Sequence, residues 1–532
     1  MSRPLLILAA TVLLLAGLLP IGVMLVRLGQ DPSALGSVTS SRTMDLLGRT
    51  FLLGGSVAAI AMLVGAPFGF LVARTDMPGA RLLRPLGFLP LLMPPLVTAM
   101  TWTVLVDLRG APMTIALLSL STFPIVALFA SRAAERIDGR TEEAALLAGG
   151  LRAAVRAAIP QVLPAAACGA CLAFVFAVND WGVPDYVSSV GPKFNVYADE
   201  VFATWQIDEQ DAQAVATALP LVLLTLLALI PALILRRRGA LAAGIGSGFV
   251  KPAPLALGPW RWPALLFCLT LLALGAGVPI GRLIYEAGAG APGGQNPSGQ
   301  VPIPVEGFDT QWTFDRMRAA FARALELCRD ELTASTLYSA AGATIAAAVG
   351  LVLGHAAARA KRGGLLLAVS VLPIAVPAIL LGIGFIVVWN RSWTADFYSG
   401  PGLVVLLLLG RYLAFPILVL SGAAASLDPQ LEESAQLAGA SPTRRLFGVV
   451  APPLVPSIFG AWTLFFVLAM REMDAAVLVP AANRTVMFRL FNAIHFGRDD
   501  FVAALALLTL FVIILPGLLW TCFAKRRMEV LP

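Results

Sequence analysis

Apolar runs of about 18 residues or more recur along this chain, each long enough to cross the hydrocarbon of a bilayer as a helix. Twelve are read: about 4–27, 51–73, 86–106, 112–131, 162–180, 213–235, 263–285, 334–357, 365–389, 402–424, 457–474 and 501–523. Within a bilayer the backbone must satisfy its own hydrogen bonds, and a run of this length does so as a helix. Composition agrees. The 532 residues are 58% hydrophobic and 13% charged, whereas soluble domains sit nearer half apolar and a quarter charged. The expected fold class is an all-α integral membrane protein of about 12 transmembrane helices. The first run follows Arg3 as a signal peptide would, yet it is about 24 residues long and no small-x-small cleavage site follows it cleanly, so it reads as a retained helix.

The net charge is +7. Its distribution explains it better than nucleic-acid binding would, because the chain has no compact basic domain. Basic residues cluster after even-numbered runs: Arg74, Arg81 and Arg84; Arg132, Arg136, Arg140, Arg152 and Arg156; Arg236, Arg237 and Arg238; Arg359, Lys361 and Arg362; Arg444 and Arg445; and Lys525, Arg526 and Arg527. Short basic loops stay cytoplasmic, which places both termini on that side of a bacterial inner membrane. The loop at 181–211 has one lysine, Lys193, against six acids, as an outside loop should. Cys168 and Cys171 form a CxxC inside an apolar run. Without a second pair or a polar setting they read as small contact residues rather than a metal or redox site. His355 and His495 are too few for a histidine-based metal site, and no metal site is expected.

The chain also repeats itself. EEAALLAG at 142–149 returns as EESAQLAG at 432–439. Phe123-Pro124-Ile125 returns as Phe415-Pro416-Ile417, Leu89-Pro90-x-x-x-Pro94 as Leu372-Pro373-x-x-x-Pro377, and Gly65 and Gly69 as Gly350 and Gly354. The order is kept, and every separation lies within 283–292 residues. Each copy has six runs, an even number, so the repeat is parallel, about an axis along the membrane normal. The expected organisation is a first half at 1–235, a linker at 236–262 and a second half at 263–532. The linker is basic, then rich in glycine and proline, and is expected to be a flexible cytoplasmic connection. On the other side, 287–310 is rich in glycine and proline and leads into a segment with Phe314, Met317, Phe321, Leu325, Cys328 and Leu332 at helical spacing. That is an amphipathic helix. Two placements suit it: on the outer membrane surface, or packed on the first spans.

Each repeated acidic loop, at about 135–164 and 428–456, lies between the fourth and fifth runs of its half. Small residues at Ala144, Ala145, Ala148 and Gly149, and at Ser434, Ala435, Ala438 and Gly439, give a short helix with a thin face, open to close approach by another surface. The glutamates stand in the first turn, where the helix dipole favours them. These loops resemble the EAA motif (EAA-x3-G-x9-I-x-L-P) of permeases in type I binding-protein-dependent ABC importers. Glu143, Ala144, Ala145 and Gly149 match in the first half. Glu433, Ala435 and Gly439 match in the second, with Ser434 in place of the first alanine. Pro452 follows Gly439 by thirteen residues as the motif asks, but Pro160 follows Gly149 by eleven; the counterparts of Ser441 and Pro442 are missing. The resemblance implies that both loops are coupling helices seated in grooves of an ATPase.

Fused chains of this layout resemble the iron(III)-type permease group, which includes thiamine permeases. Asn179-Asp180-Trp181-Gly182-Val183-Pro184 resembles that group's DFGVP segment, and Met470-Arg471-Glu472-Met473 its RE(L/M) segment. Counted from Pro164 and Pro456, Asn179 and Asp180 correspond to Arg471 and Glu472. Charges near the end of a span face a cavity or a partner, which makes these four residues candidates for an outer gate, a pathway or ion pairing. The chain has no G-x-x-x-x-G-K-[ST] phosphate loop. ATP hydrolysis is therefore expected on a separate subunit, with no catalytic residue or cofactor in this chain. The partners implied are two copies of a cytoplasmic ABC ATPase, an extracytoplasmic substrate-binding protein and the lipid membrane. Iron(III) is the solute the resemblance implies, with thiamine, phosphonate or polyamine as alternatives. An ion-coupled secondary carrier would place charges mid-span, and here Arg411 is the exception among charge-free span centres. A membrane enzyme would need a catalytic cluster that the sequence does not offer.

Overall fold

The computed structural model describes residues 3–208, 211–242, 250, 252–289, 312–478, 480, 485–496 and 500–528. Among them the chain is helical, and its one isolated bridge joins Thr75 to Leu255. Among the described residues, nine helices are long and apolar enough to cross a membrane, or up to thirteen if each of four bent pairs counts as one span. The protein is an all-α integral membrane protein; eleven of the twelve apolar runs lie on one of these helices or bent pairs, and the tenth, 402–424, runs through Pro401–Tyr412 and Ala414–Ala425, the adjoining arms of two bent pairs.

Two of the runs are sharply bent. The third span is Ala80–Leu92 followed by Pro95–Leu105 at 89°, and the ninth is Gly363–Ala375 followed by Ala378–Trp389 at 95°. The cause is the repeated second proline. A residue before proline is forced out of the helical region; Met93, before Pro94, has ψ 132°, and Val376, before Pro377, has ψ 128°. The eleventh span also ends earlier than expected. Its helix stops at Met470, where Arg471 caps it and the chain turns.

The amphipathic segment is not a separate surface helix. Phe314–Arg359 is continuous, with one non-helical residue at Cys328. Its buried line there is Ala320, Ala324, Cys328 and Leu332, while Phe314 and Leu325 of the expected face are exposed. Small residues four apart let another element approach more closely than the large ones would. Residues 290–311, most of the expected outside stretch, lie outside the described residues.

By packing, the chain forms two compact units. One comprises Met1–Leu35, Thr204–Ala218 and Ile284–Pro532; the other comprises Gly36–Ala203 and Leu219–Leu283. Each unit therefore takes a long helix from outside the stretch that supplies most of it. In the Gly36–Ala203 unit, Ser41–Arg74 packs on Ala111–Ala134 through Gly65 and Gly69. A Cβ on Gly65 would lie 2.6 Å from the Phe123 carbonyl oxygen, and one on Gly69 would overlap the carbonyl of Ala127. The seventh span, Gly258–Ala289, belongs here as far as Leu283: Cys268 and Leu271 share a buried cluster with Phe68, Phe123 and Val126. A π-turn at Ala273–Gly277 seats Gly275 on Pro90, leaving a Cβ only 2.7 Å from the ring.

The other unit repeats this arrangement with its own residues. Phe314–Arg359 packs on Ala414–Ala425, where a Cβ on Gly350 would lie 2.9 Å from Pro416 and one on Gly354 2.8 Å from Ser421 N. The first span, Arg3–Gln30, carries a π-turn at Leu14–Leu18 that seats Gly17 on Pro373, at 2.6 Å for a Cβ. Matching hydrogen bonds follow: Thr50 Oγ1 accepts from Tyr197 N (2.9 Å), and Ser335 Oγ, its counterpart, accepts from Val486 N (2.8 Å). Cys168 is buried, with its Sγ donating to Ala232 O, and both it and Cys171 are free thiols.

Candidate functional site

The first acidic loop opens on Asp138, whose side chain accepts from Arg140 N at 3.0 Å and caps the helix from Gly139. The second opens on Asp428, which accepts from Gln430 N at 2.9 Å ahead of Pro429–Leu437. An aspartate at this position satisfies one of the orphan donors of the first turn. Both helices end on glycine, by different turns. In the second, Gly439 takes φ 79° while Ala438 N, Gly439 N and Ala440 N return to the last turn, as in a helix C-cap built on a left-handed residue. Ser441 then accepts from Arg444 N and Pro442 begins the next helix. Lacking those two residues, the first loop turns at Gly149 (φ −167°) and Gly150 (φ 64°) and re-enters helix directly. The left-handed residue of that turn is therefore Gly150, not the motif glycine Gly149.

The first glutamate of each loop is an anchor. Glu142 is buried and ion-paired with Arg74, the last residue of Ser41–Arg74. Its counterpart Glu432 accepts from Arg359 Nε and pairs with His355 Nε2, each at 2.8 Å; Arg359 is likewise the last residue of its helix. Partial burial alone would raise the Glu432 carboxyl, but the hydrogen bonds and charges of Arg359 and His355 outweigh it and hold it below its usual range. The motif residues beyond the anchors face outward. Glu143, Ala144, Gly149, Glu433, Ser434 and Gly439 are exposed, and Ala145 and Ala435 are half-buried. Beside them stand Leu147 and Leu437, each 90% exposed and at the same repeat position. Two leucines held open on polar helices are apolar surface without a partner, which on a folded protein marks a contact site. The identity of this leucine in both copies was the signal that sequence reasoning passed over.

The other four candidates sit at matching turns of their own units. Asp180 Oδ1 accepts from Val183 N at 2.9 Å, and Glu472 Oε1 accepts from Ala475 N at 2.8 Å, so both acids cap the turn after a span. Asn179 is buried and donates to Val175 O and Thr225 Oγ1. Arg471 is half-buried at the C-cap of Ala451–Met470. Glu472 is buried, takes a hydrogen bond from the Tyr412 hydroxyl and has Arg411 Nε at 3.8 Å. Arg411 in turn donates to Val376 O (3.1 Å), a carbonyl at the proline bend. A buried charge needs such partners, and the lone mid-span arginine finds them in Glu472 and the broken ninth span.

Residues 65–240 and 346–529 match the family described as binding-protein-dependent transport system inner membrane component. The chain belongs to that family. The two matches fall on the two copies of the repeat, and the fused two-copy layout makes it a type I permease chain. It is 23% identical over 450 residues to an Fe(3+)-transport system permease protein, FbpB 2, of Haemophilus influenzae, covering 82% of this chain and 81% of that one. A putrescine transport system permease protein, PotI, of Escherichia coli is 26% identical over 288 residues, 52% of this chain and 95% of that one. A probable sulfate transport system permease protein of Marchantia polymorpha is 31% identical over 156 residues, 27% of this chain and 54% of that one. The relatives are permease subunits, so this chain is a multi-pass inner-membrane component of a transport system.

Proposed function

We propose that this permease imports a small solute by alternating access, driven by two copies of a separate ABC ATPase and loaded by an extracytoplasmic binding protein. The observation that carries this reading is the pair of anchored helices with Leu147 and Leu437 held outward. Each helix is the coupling element of one half, 1–235 or 263–532, with Glu143, Ala144, Ala145 and Gly149, or Glu433, Ser434, Ala435 and Gly439, at the ATPase face. Closure of the ATPases on ATP presses the two coupling helices together. The buried pair Arg74–Glu142 and the half-buried pair Arg359–Glu432 pass that displacement to the second and eighth spans. ATP and the loaded binding protein must favour the same outward-open state for transport to be coupled. Both termini are cytoplasmic in this arrangement. Asn179, Asp180, Arg471 and Glu472 shape the outer end of the pathway, where the turns they cap would move with the spans.

The solute is iron(III), supported by the alignment to an Fe(3+) permease across both halves. The putrescine relative spans only about half of this chain. The deciding experiment is co-purification with the ATPase, followed by ATP hydrolysis with the binding protein loaded in turn with iron(III), thiamine, putrescine or phosphonate. One permease with two ATPases, stimulated by the iron-loaded binding protein, is the expected result. Absence of any ATPase association would overturn the importer reading, and stimulation by another load would overturn iron.

A further inference from the structure

The linker was expected to be flexible, but where it is described it is docked. Val250 O accepts from Gly139 N at 2.9 Å, at the start of the first acidic helix. Leu255 N donates to Arg74 O (2.7 Å), Asp76 N donates back to Leu255 O (3.0 Å), and Leu257 N donates to Asp76 Oδ1 (2.8 Å). Arg74, while paired with Glu142, also donates to Pro252 O (3.4 Å) and Ala253 O (3.3 Å). Pro252 and Leu255 are buried, and Leu257 packs on the core cluster with Met77 and Leu83. A passing tether needs none of these bonds. Here they converge on the two places that fix the helix: its first residue and its anchoring arginine.

The second acidic helix cannot be held this way. The counterpart of Gly139 is Pro429, which has no N–H to donate. A Cβ at 139 would lie 3.0 Å from Val250 O and 3.1 Å from Pro252 Cα, so a larger residue crowds the linker. At the second joint Arg359 turns instead to Leu427 O (3.1 Å), and His355 takes the remaining carboxylate oxygen of Glu432.

We propose that residues 252–257, with Val250, are a positioning clasp of the first coupling helix. The clasp ties that helix to the seventh span, which begins at Gly258, as well as to the second. The two coupling sites are therefore mechanically unequal: displacement at the first loop moves two spans of its unit through direct bonds, one at Arg74 and one through the linker. This inference rests on the coupling reading above.

The test uses the full permease–ATPase complex in detergent, with three variants. Leu255→Pro removes the donor to Arg74 O, Asp76→Ala removes the acceptor of Leu257 N, and Leu147→Glu probes the docking face alone. Amide exchange over 136–141 and 250–257 reports the clasp, and hydrolysis stimulated by loaded binding protein reports coupling. The expected result for Leu255→Pro and Asp76→Ala is faster exchange at Gly139 and a several-fold loss of stimulation, with the ATPase still bound. Unchanged exchange in Leu255→Pro, or faster exchange with full stimulation in either variant, would overturn the clasp. Normal ATPase association in Leu147→Glu would instead sink the coupling reading on which it rests.

Discussion

Replacing Arg74 with methionine is expected to damage coupling more than the same change at Arg359. The side chains of Arg74 and Glu142 are 5% and 6% exposed. Arg74→Met leaves a buried carboxylate without its partner, and breaking a pair of this kind costs about 3–5 kcal/mol. Arg359 and Glu432 are 23% and 17% exposed, and His355 remains beside the carboxylate after Arg359→Met. With water and histidine in reach, the loss there sits at the low end of the about 1.5–3 kcal/mol that one hydrogen bond to a charged group contributes. At about 1.4 kcal/mol per tenfold, the seated pose of the first helix weakens by a hundredfold or more and that of the second by about tenfold. Hydrolysis stimulated by loaded binding protein, with thermal unfolding in detergent, measures both. The double variant Arg74→Met/Glu142→Met should recover most of the stability, because a buried pair exchanged for apolar side chains is often neutral. Equal losses in the two single variants, or no recovery in the double, would refute the reasoning.

Leu147→Glu and Leu437→Glu should each weaken ATPase association by tenfold or more, since burying a leucine is worth about 1.5–3 kcal/mol; co-purification at graded ATPase concentration reads this, and undiminished binding would remove the leucines from the interface. Gly354→Val should destabilise the protein by about 1–3 kcal/mol, as overpacking does, because its Cβ would meet Ser421 N at 2.8 Å; an unchanged melting temperature would contradict the close approach. In the loop at 181–211, burial and the charges of Asp185 and Glu200 raise the Asp199 carboxyl to about 7, against the hydrogen bond from Val196 and the charge of Lys193. A raised carboxyl stabilises the fold fully below its ordinary range and loses that contribution as pH rises through about 7. Asp199→Asn should therefore melt higher than the parent at alkaline pH and flatten the profile between about pH 4 and pH 7; an identical profile would refute the assignment.

The spans and the repeat were legible because bilayer burial writes itself as length and hydropathy, one residue at a time. Gly65, Gly69, Gly350 and Gly354 were legible as landmarks, and their role follows from the space they leave for Phe123, Ala127, Pro416 and Ser421. The bends were within reach, since Met93-Pro94 and Val376-Pro377 carry the rule that breaks a helix before proline. The anchors were harder. Arg74 and Glu142 lie 68 residues apart, and no local pattern joins them. Only the matching spacing of Arg359 from Arg74 in the repeat hinted at a shared partner. The docked linker was out of reach altogether: half of its bonds run backbone to backbone, and composition rich in glycine and proline reads as flexible whether or not neighbouring backbone receives it.

Where the two copies agree and where they part separates common machinery from specialisation. Both keep the glycine contacts, the proline bends, the glycine seated on the first proline and the arginine–glutamate anchor. These set helix geometry, and one solution serves both halves. The copies part at polar positions. Arg411 and Tyr412 stand where the first copy has Ser119 and Leu120, His355 where it has Phe70, and Pro429 where it has Gly139. Placing Arg411 mid-span requires Glu472 and Tyr412 to compensate it, a demand the first copy never meets because Ser119 carries no charge. Each difference thus brings its own local partners, and none disturbs a shared contact. That is the pattern expected when one chain keeps the same helix geometry twice yet gives only the second copy a mid-span guanidinium, and only the first a linker bonded to the start of its acidic helix.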